Sequence, residues 1–188
     1  MSKLEAVLVA IIILLLLVLG GLLFLRNSGS DASAFRVSIS GARTATIDDG
    51  AIFYEFSEGY FYDDKRLTFP DLTTLTIQNG NGAEMQLISI TIPVDTAPGT
   101  YALTTPVNLS HLPAGAAIPG DHFEAGYYAP DGASFVGAVS GQITLTEAGE
   151  QISGSFDFSA STLDPFTNQT GNEAIRAVGT FEDIALKR

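Results

Sequence analysis

His111 and His122 are the only imidazoles in the chain, and they flank the loop Leu112 to Gly120. Neither lies in an H-E-x-x-H or other two-histidine spacing that would aim two ring nitrogens at one zinc ion. A metal between them would require the loop to fold back, and solvated loop histidines are the simpler reading. The chain has no cysteine, which removes thiolate nucleophiles, Cys-based zinc sites and disulfides together. It has no G-x-S-x-G elbow, and Gly80-Asn81-Gly82 lacks the third glycine and following helix of a dinucleotide fingerprint. Asp48-Asp49, Asp63-Asp64 and the loop Asp164 to Glu173 offer hard oxygen ligands of the kind calcium takes. That loop lacks EF-hand spacing, however, and a carboxylate-bearing turn is ordinarily just solvated. Glycoside hydrolysis needs a positioned carboxylate pair in a cleft, which spacing alone does not show. The expectation is a non-enzyme with no catalytic, cofactor-binding or metal-binding residues.

The aromatic run Phe53-Tyr54-Glu55-Phe56 and Tyr60-Phe61-Tyr62, separated by Ser57-Glu58-Gly59, places six rings within ten residues. One strand face cannot bury them all. Phe53 and Phe61 are assigned to cross-strand core pairing, and Tyr54, Tyr60 and Tyr62 are candidate contacts for a protein or sugar partner. Tyrosine joins a flat apolar face to a hydrogen-bonding hydroxyl, a combination enriched at interfaces.

Two kinds of element must position these residues. The first is Ala6 to Leu25, twenty residues without a charged or polar side chain, which at about 1.5 Å of rise each span roughly the 30 Å of a bilayer core. This run is longer than a secretory h-region, and the small-residue site Ala32-Ser33-Ala34 lies well beyond Leu25. The expectation is therefore a permanent anchor rather than a cleaved signal. Gly20 and Gly21 would let a neighbouring helix approach closely and are candidate partner contacts. The organisation expected is a short tail at 1–5, a transmembrane anchor helix at 6–25, a linker at 26–34 and one domain over 35–188.

Basic residues lie on both sides of the anchor, so they do not assign an orientation. Residues 27–188 hold seven Lys/Arg against twenty Asp/Glu. So acidic a domain is repelled by nucleic acid and anionic lipid surfaces, both of which bind through clustered basic residues. Glu5 ahead of an apolar helix resembles the start of mature type IV pilins. That likeness ends at Asn27-Ser28-Gly29-Ser30, where the helix breaks.

The second kind of element is the β-strand. From Ile152 to Ser159 the residues Ile152, Gly154, Phe156 and Phe158 alternate with Ser153, Ser155, Asp157 and Ser159, the period of a strand with one buried and one wet face. With Gln142 to Thr146 and the Glu147 to Glu150 connection it makes a hairpin. A second hairpin is signalled by Asn79-Gly80-Asn81-Gly82 between Leu75-Thr76-Ile77 and Leu87 to Ile92. Further strands are expected near 35–40, 51–56, 122–128 and 174–182. No sustained 3.6-residue period follows residue 30. The fold class expected is all-β, an antiparallel β-sandwich or barrel of about eight or nine short strands, behind one N-terminal transmembrane helix.

Pro98-Gly99-Thr100-Tyr101-Ala102-Leu103, Ser140 to Thr146, Ile152 to Phe158 and Val178-Gly179-Thr180-Phe181 occur in this order. In that order they resemble a β-sandwich family of unknown function common among bacterial surface lipoproteins. The likeness covers residues 35–184 and departs at the front, where those proteins carry a lipidated cysteine and this chain carries an anchor helix. It implies an extracytoplasmic domain, periplasmic or extracellular, and brings no catalytic residues. The function expected is a single-pass, non-catalytic accessory subunit of a larger integral-membrane assembly, such as a photosynthetic or respiratory complex. Its partners would be the bilayer and the other subunits of that complex, and not nucleic acid. The alternatives are a surface module that binds carbohydrate or protein, and a pilin-like filament subunit.

Overall fold

The computed structural model describes residues 34–59, 61–62, 67–68, 70–107, 113, 115–116, 120–164 and 167–188. The anchor assigned to 6–25, with Gly20 and Gly21, lies outside the described residues, as do His111, Tyr60 and the side chain of Tyr62. Among the described residues no helix is long and apolar enough to cross a membrane.

Both expected hairpins form. β10 (Ser134–Glu147) and β11 (Gln151–Leu163) are antiparallel, with Ile143 opposite Phe156 and Thr144 opposite Ser155. The alternation in β11 works as read: Ile152, Phe156 and Phe158 are buried while Ser155 and Ser159 face water. β6 (Leu72–Asn79) and β7 (Gln86–Pro93) pair Leu75 with Ile90 and Ile77 with Ile88. Their connection includes a single 3₁₀ turn, Gly82–Glu84. Gly80 enters it at φ 79°, in the left-handed region where a side chain is strained.

Around these lie β1 (Phe35–Gly41), β2 (Ala45–Ile47), β3 (Ala51–Ser57), β8 (Gly99–Thr104), β9 (Phe123–Tyr128) and β12 (Thr170–Lys187). The ten strands form one sheet in the order β11-β10-β8-β9-β7-β6-β3-β12-β1-β2, and β11 also pairs with β12. That last pairing closes the sheet on itself, giving a β-sandwich-like all-β domain with a single interior. A separate short hairpin joins β4 (Phe61–Tyr62) to β5 (Leu67–Thr68).

The sheet is mixed rather than purely antiparallel. β8 runs parallel to β9 through Leu103–Phe123, and β12 parallel to β3 through Leu186–Tyr54. β12 makes the second pairing because it is eighteen residues long: it pairs with β1 over Ile175–Phe181 and has length left to reach β3. A bulge lies between these stretches. Ile152 and Gly154 of β11 face Ile184 and Phe181 of β12, so one extra residue is accommodated there. Asp183 takes φ 55°, and its N–H donates to the Ser153 hydroxyl at 2.9 Å. The bulge lets Phe181 and Ile184, three residues apart, both point inward.

Among the described residues the interior is apolar except for Thr73, whose hydroxyl donates to the Ile92 carbonyl at 2.8 Å. Gly179 of β12 faces this interior. A Cβ there would stand 2.5 Å from Phe156 Cζ and 3.0 Å from Val37 Cγ2, so the missing side chain is what admits the Phe156 ring.

Candidate contact surfaces

Strand parity sorts the aromatic run. In β3, Ile52, Tyr54 and Phe56 share one face, and Phe53 shares the other with the exposed Glu55. Tyr54 is 5% exposed, set between Leu75 and Leu186. It is a core ring rather than a free contact face. Phe53, expected in the core, is half-buried on the outside beneath the Lys187 ammonium, 4.6 Å from its centroid. Tyr62 sits in β4 opposite Leu67.

The remaining sequence candidates are dispersed. His122 is exposed, with Nδ1 2.6 Å from Asp121 Oδ1. Asp49 accepts from the Asn79 amide at 2.7 Å. Asp164 closes its own turn by accepting the Thr167 N–H at 3.2 Å. Among the described residues no group of three or more His, Cys, Asp or Glu side chains is placed to hold a metal ion.

Three features were not read from the sequence. The first is a clasp at Arg43, in the β1–β2 connection. Its guanidinium donates to Asp131 Oδ2 from Nε at 3.0 Å and from Nη2 at 2.6 Å, and Nη1 lies 3.4 Å from Glu173. The same group lies over the Phe135 ring. The Asp131 carboxyl is held below its usual range, first by the Ala133 N–H and then by Arg43.

The second is a small apolar patch outside β7 and β9. Tyr128 (39% exposed) stands opposite Leu87 of β7, and Met85 (42% exposed) lies just before that strand, at the end of the 3₁₀ turn. Val136 of β10 packs over Gly126, where a Cβ would come 2.7 Å from Val136 Cγ1. Beside the patch, Glu124 accepts the Val107 N–H at 3.2 Å. Burial pushes this carboxyl above its ordinary range, partly offset by that hydrogen bond and by His122.

The third is the outer face of β8, β10, β11, β12 and β1, which carries short polar side chains in register. One rung runs Thr100–Thr144–Ser155–Thr180–Arg36, the next Ala102–Gln142–Asp157–Val178–Ser38, and the third Ser140–Ser159–Arg176–Ser40. Arg176 spans the last two rungs, donating to both oxygens of Asp157 at 2.8 and 2.6 Å. This pairing holds the Asp157 carboxyl below its usual range.

Comparison with protein family models, with curated proteins and with solved structures finds no match.

Proposed function

We propose that this chain is a membrane-tethered, non-catalytic accessory subunit whose β-domain makes protein contacts within a larger integral-membrane assembly. The observation that carries the reading is the Leu87–Tyr128–Val136 patch, with Met85 two residues before Leu87. Tyr128 and Met85 are two of the four large apolar side chains exposed among the described residues, the others being Val94 and Val178, in a chain of acidic composition. Met and Tyr are enriched at interface cores, while charged side chains are depleted there. The apolar run Ala6 to Leu25 supports the tether. The strand-motif likeness to surface lipoproteins supports an extracytoplasmic side for the domain.

Membranes extracted with mild detergents and resolved by native electrophoresis test the proposal. The chain should migrate in a complex far larger than its own 19.8 kDa, and Tyr128→Ser should release it from that complex without lowering its thermal midpoint. Migration of the unmodified chain as a lone monomer in every gentle detergent would overturn the reading.

A further inference from the structure

We propose that the outer face of β10, β11 and β12 is a binding site for a neutral, polyhydroxylated chain, that is, an uncharged glycan. This goes beyond the assembly reading and does not depend on it, because the face is distinct from the Tyr128 patch.

Shape is the first support. An open depression of about 360 Å³ is lined by Ser140, Gly141, Gln142, Asp157, Phe158 and Ser159. A second of about 160 Å³ reaches Thr144, Ser155, Val178 and Thr180. Gln142 and Asp157 line both, so the two adjoin in one shallow groove that follows β10 and β11 from the third rung to the first and there reaches β12. A groove open along its length suits an extended chain better than a compact ligand.

Hydrogen-bonding chemistry narrows the class. Serine and threonine hydroxyls and the glutamine amide each donate and accept, and these are the groups that Ser140, Gln142, Ser155, Ser159 and Thr180 present to the groove. A phosphate or carboxylate ligand would need donors and fixed positive charge, and a metal ion would need acceptors. A sugar hydroxyl, itself both donor and acceptor, matches an array of groups of its own kind. Neighbouring strands repeat at about 4.8 Å and like-facing residues along a strand at about 6.7 Å. The array is therefore regular in two directions, as a chain of repeating sugar units is in one.

Charge excludes the competing polymers. The chain has a formal net charge of −12, yet the three rungs carry only Arg36, Arg176 and Asp157 as charged side chains, two of them joined to each other. The overall field repels anionic polysaccharide and nucleic acid, and the face lacks the carboxylates that a basic polymer would need. Val178, 42% exposed beside Asp157, supplies an apolar spot for the C–H face of a sugar ring.

The test is native affinity electrophoresis of the full chain in micelles of a polyoxyethylene detergent. The gels would be cast with laminarin, mannan or dextran, with anionic polygalacturonate, or with no polymer. At least one of the neutral polymers should retard the chain. Gln142→Ala or Ser159→Ala should weaken that retardation roughly tenfold, the worth of one or two lost hydrogen bonds, while Tyr128→Ala leaves it unchanged. Both groove residues are exposed, so at least one variant should keep the parent thermal midpoint and be scored. Mobility unaffected by all three neutral polymers, retardation by polygalacturonate alone, or equal retardation of the parent and both groove variants would overturn the proposal.

Discussion

The two broad outer surfaces of the domain are built on the same interior but dressed differently. Outside β10, β11 and β12 short hydroxylated side chains alternate with Gln142, Asp157, Arg176 and Val178; outside β3, β6, β7 and β9 the side chains are largely half-buried, Phe53 and Leu87 among them, with Tyr128 exposed. Because successive side chains of a strand alternate sides, the inner faces of both regions can be equally apolar whatever the outer faces carry. The contrast therefore separates the apolar interior, which carries stability, from the outer faces, on which both proposed contacts lie.

The sharpest way to break that separation is to remove one large ring from beneath each surface. Phe156→Ala and Tyr54→Ala should each destabilise the full chain by about 3–5 kcal/mol in urea unfolding, since both rings are buried and each would leave a cavity. A cost under about 1 kcal/mol for Tyr54→Ala would make the β3 side a loosely attached flap, unequal to the other. Thr73→Val, also beneath the β6–β7 surface, should cost about 1 kcal/mol, the net worth of one buried hydrogen bond. No loss would show that the Ile92 carbonyl finds another donor.

A smaller effect of known sign comes from Glu124. Its carboxyl titrates above its ordinary value, chiefly because it is partly buried. The folded chain thus holds that proton more tightly than the unfolded chain does. Stability falls as pH rises from the ordinary Glu range through the raised value, and the penalty persists at neutral pH. Glu124→Gln removes the charge and keeps an acceptor for the Val107 N–H, so the variant should be the more stable at pH 7. The difference should vanish in acid, where the parent side chain is neutral in both states. A variant less stable at pH 7 would show that the charged hydrogen bond outweighs the burial.

How much of this was legible beforehand follows from the range of each interaction. The hairpins of β6–β7 and β10–β11 were readable because alternation and turn chemistry are local. Parity alone would have placed Tyr54 inside, since Glu55 marks the outer side of β3 and Phe53 shares it. The parallel contacts of β8 with β9 and of β3 with β12 have no local signature: the first depends on the path of the long connection between those two strands, and the second on how far β12 continues past its pairing with β1. The Arg43 clasp joins residues 88 and 130 positions away in the chain, and no spacing rule connects them. The Tyr128 patch depends on Leu87 and Val136, which only the register of β7, β9 and β10 brings beside that ring.

The central claim, that the β7–β9 surface is the one a protein partner covers, is tested most directly by hydroxyl-radical footprinting read out by mass spectrometry. The chain would be labelled in its native membranes and again after purification into micelles. Met85 and Tyr128 should be protected in the membranes and become reactive on purification, while Val178, on the opposite surface, reacts alike in both. Equal reactivity of Met85 and Tyr128 in the two preparations would contradict the account.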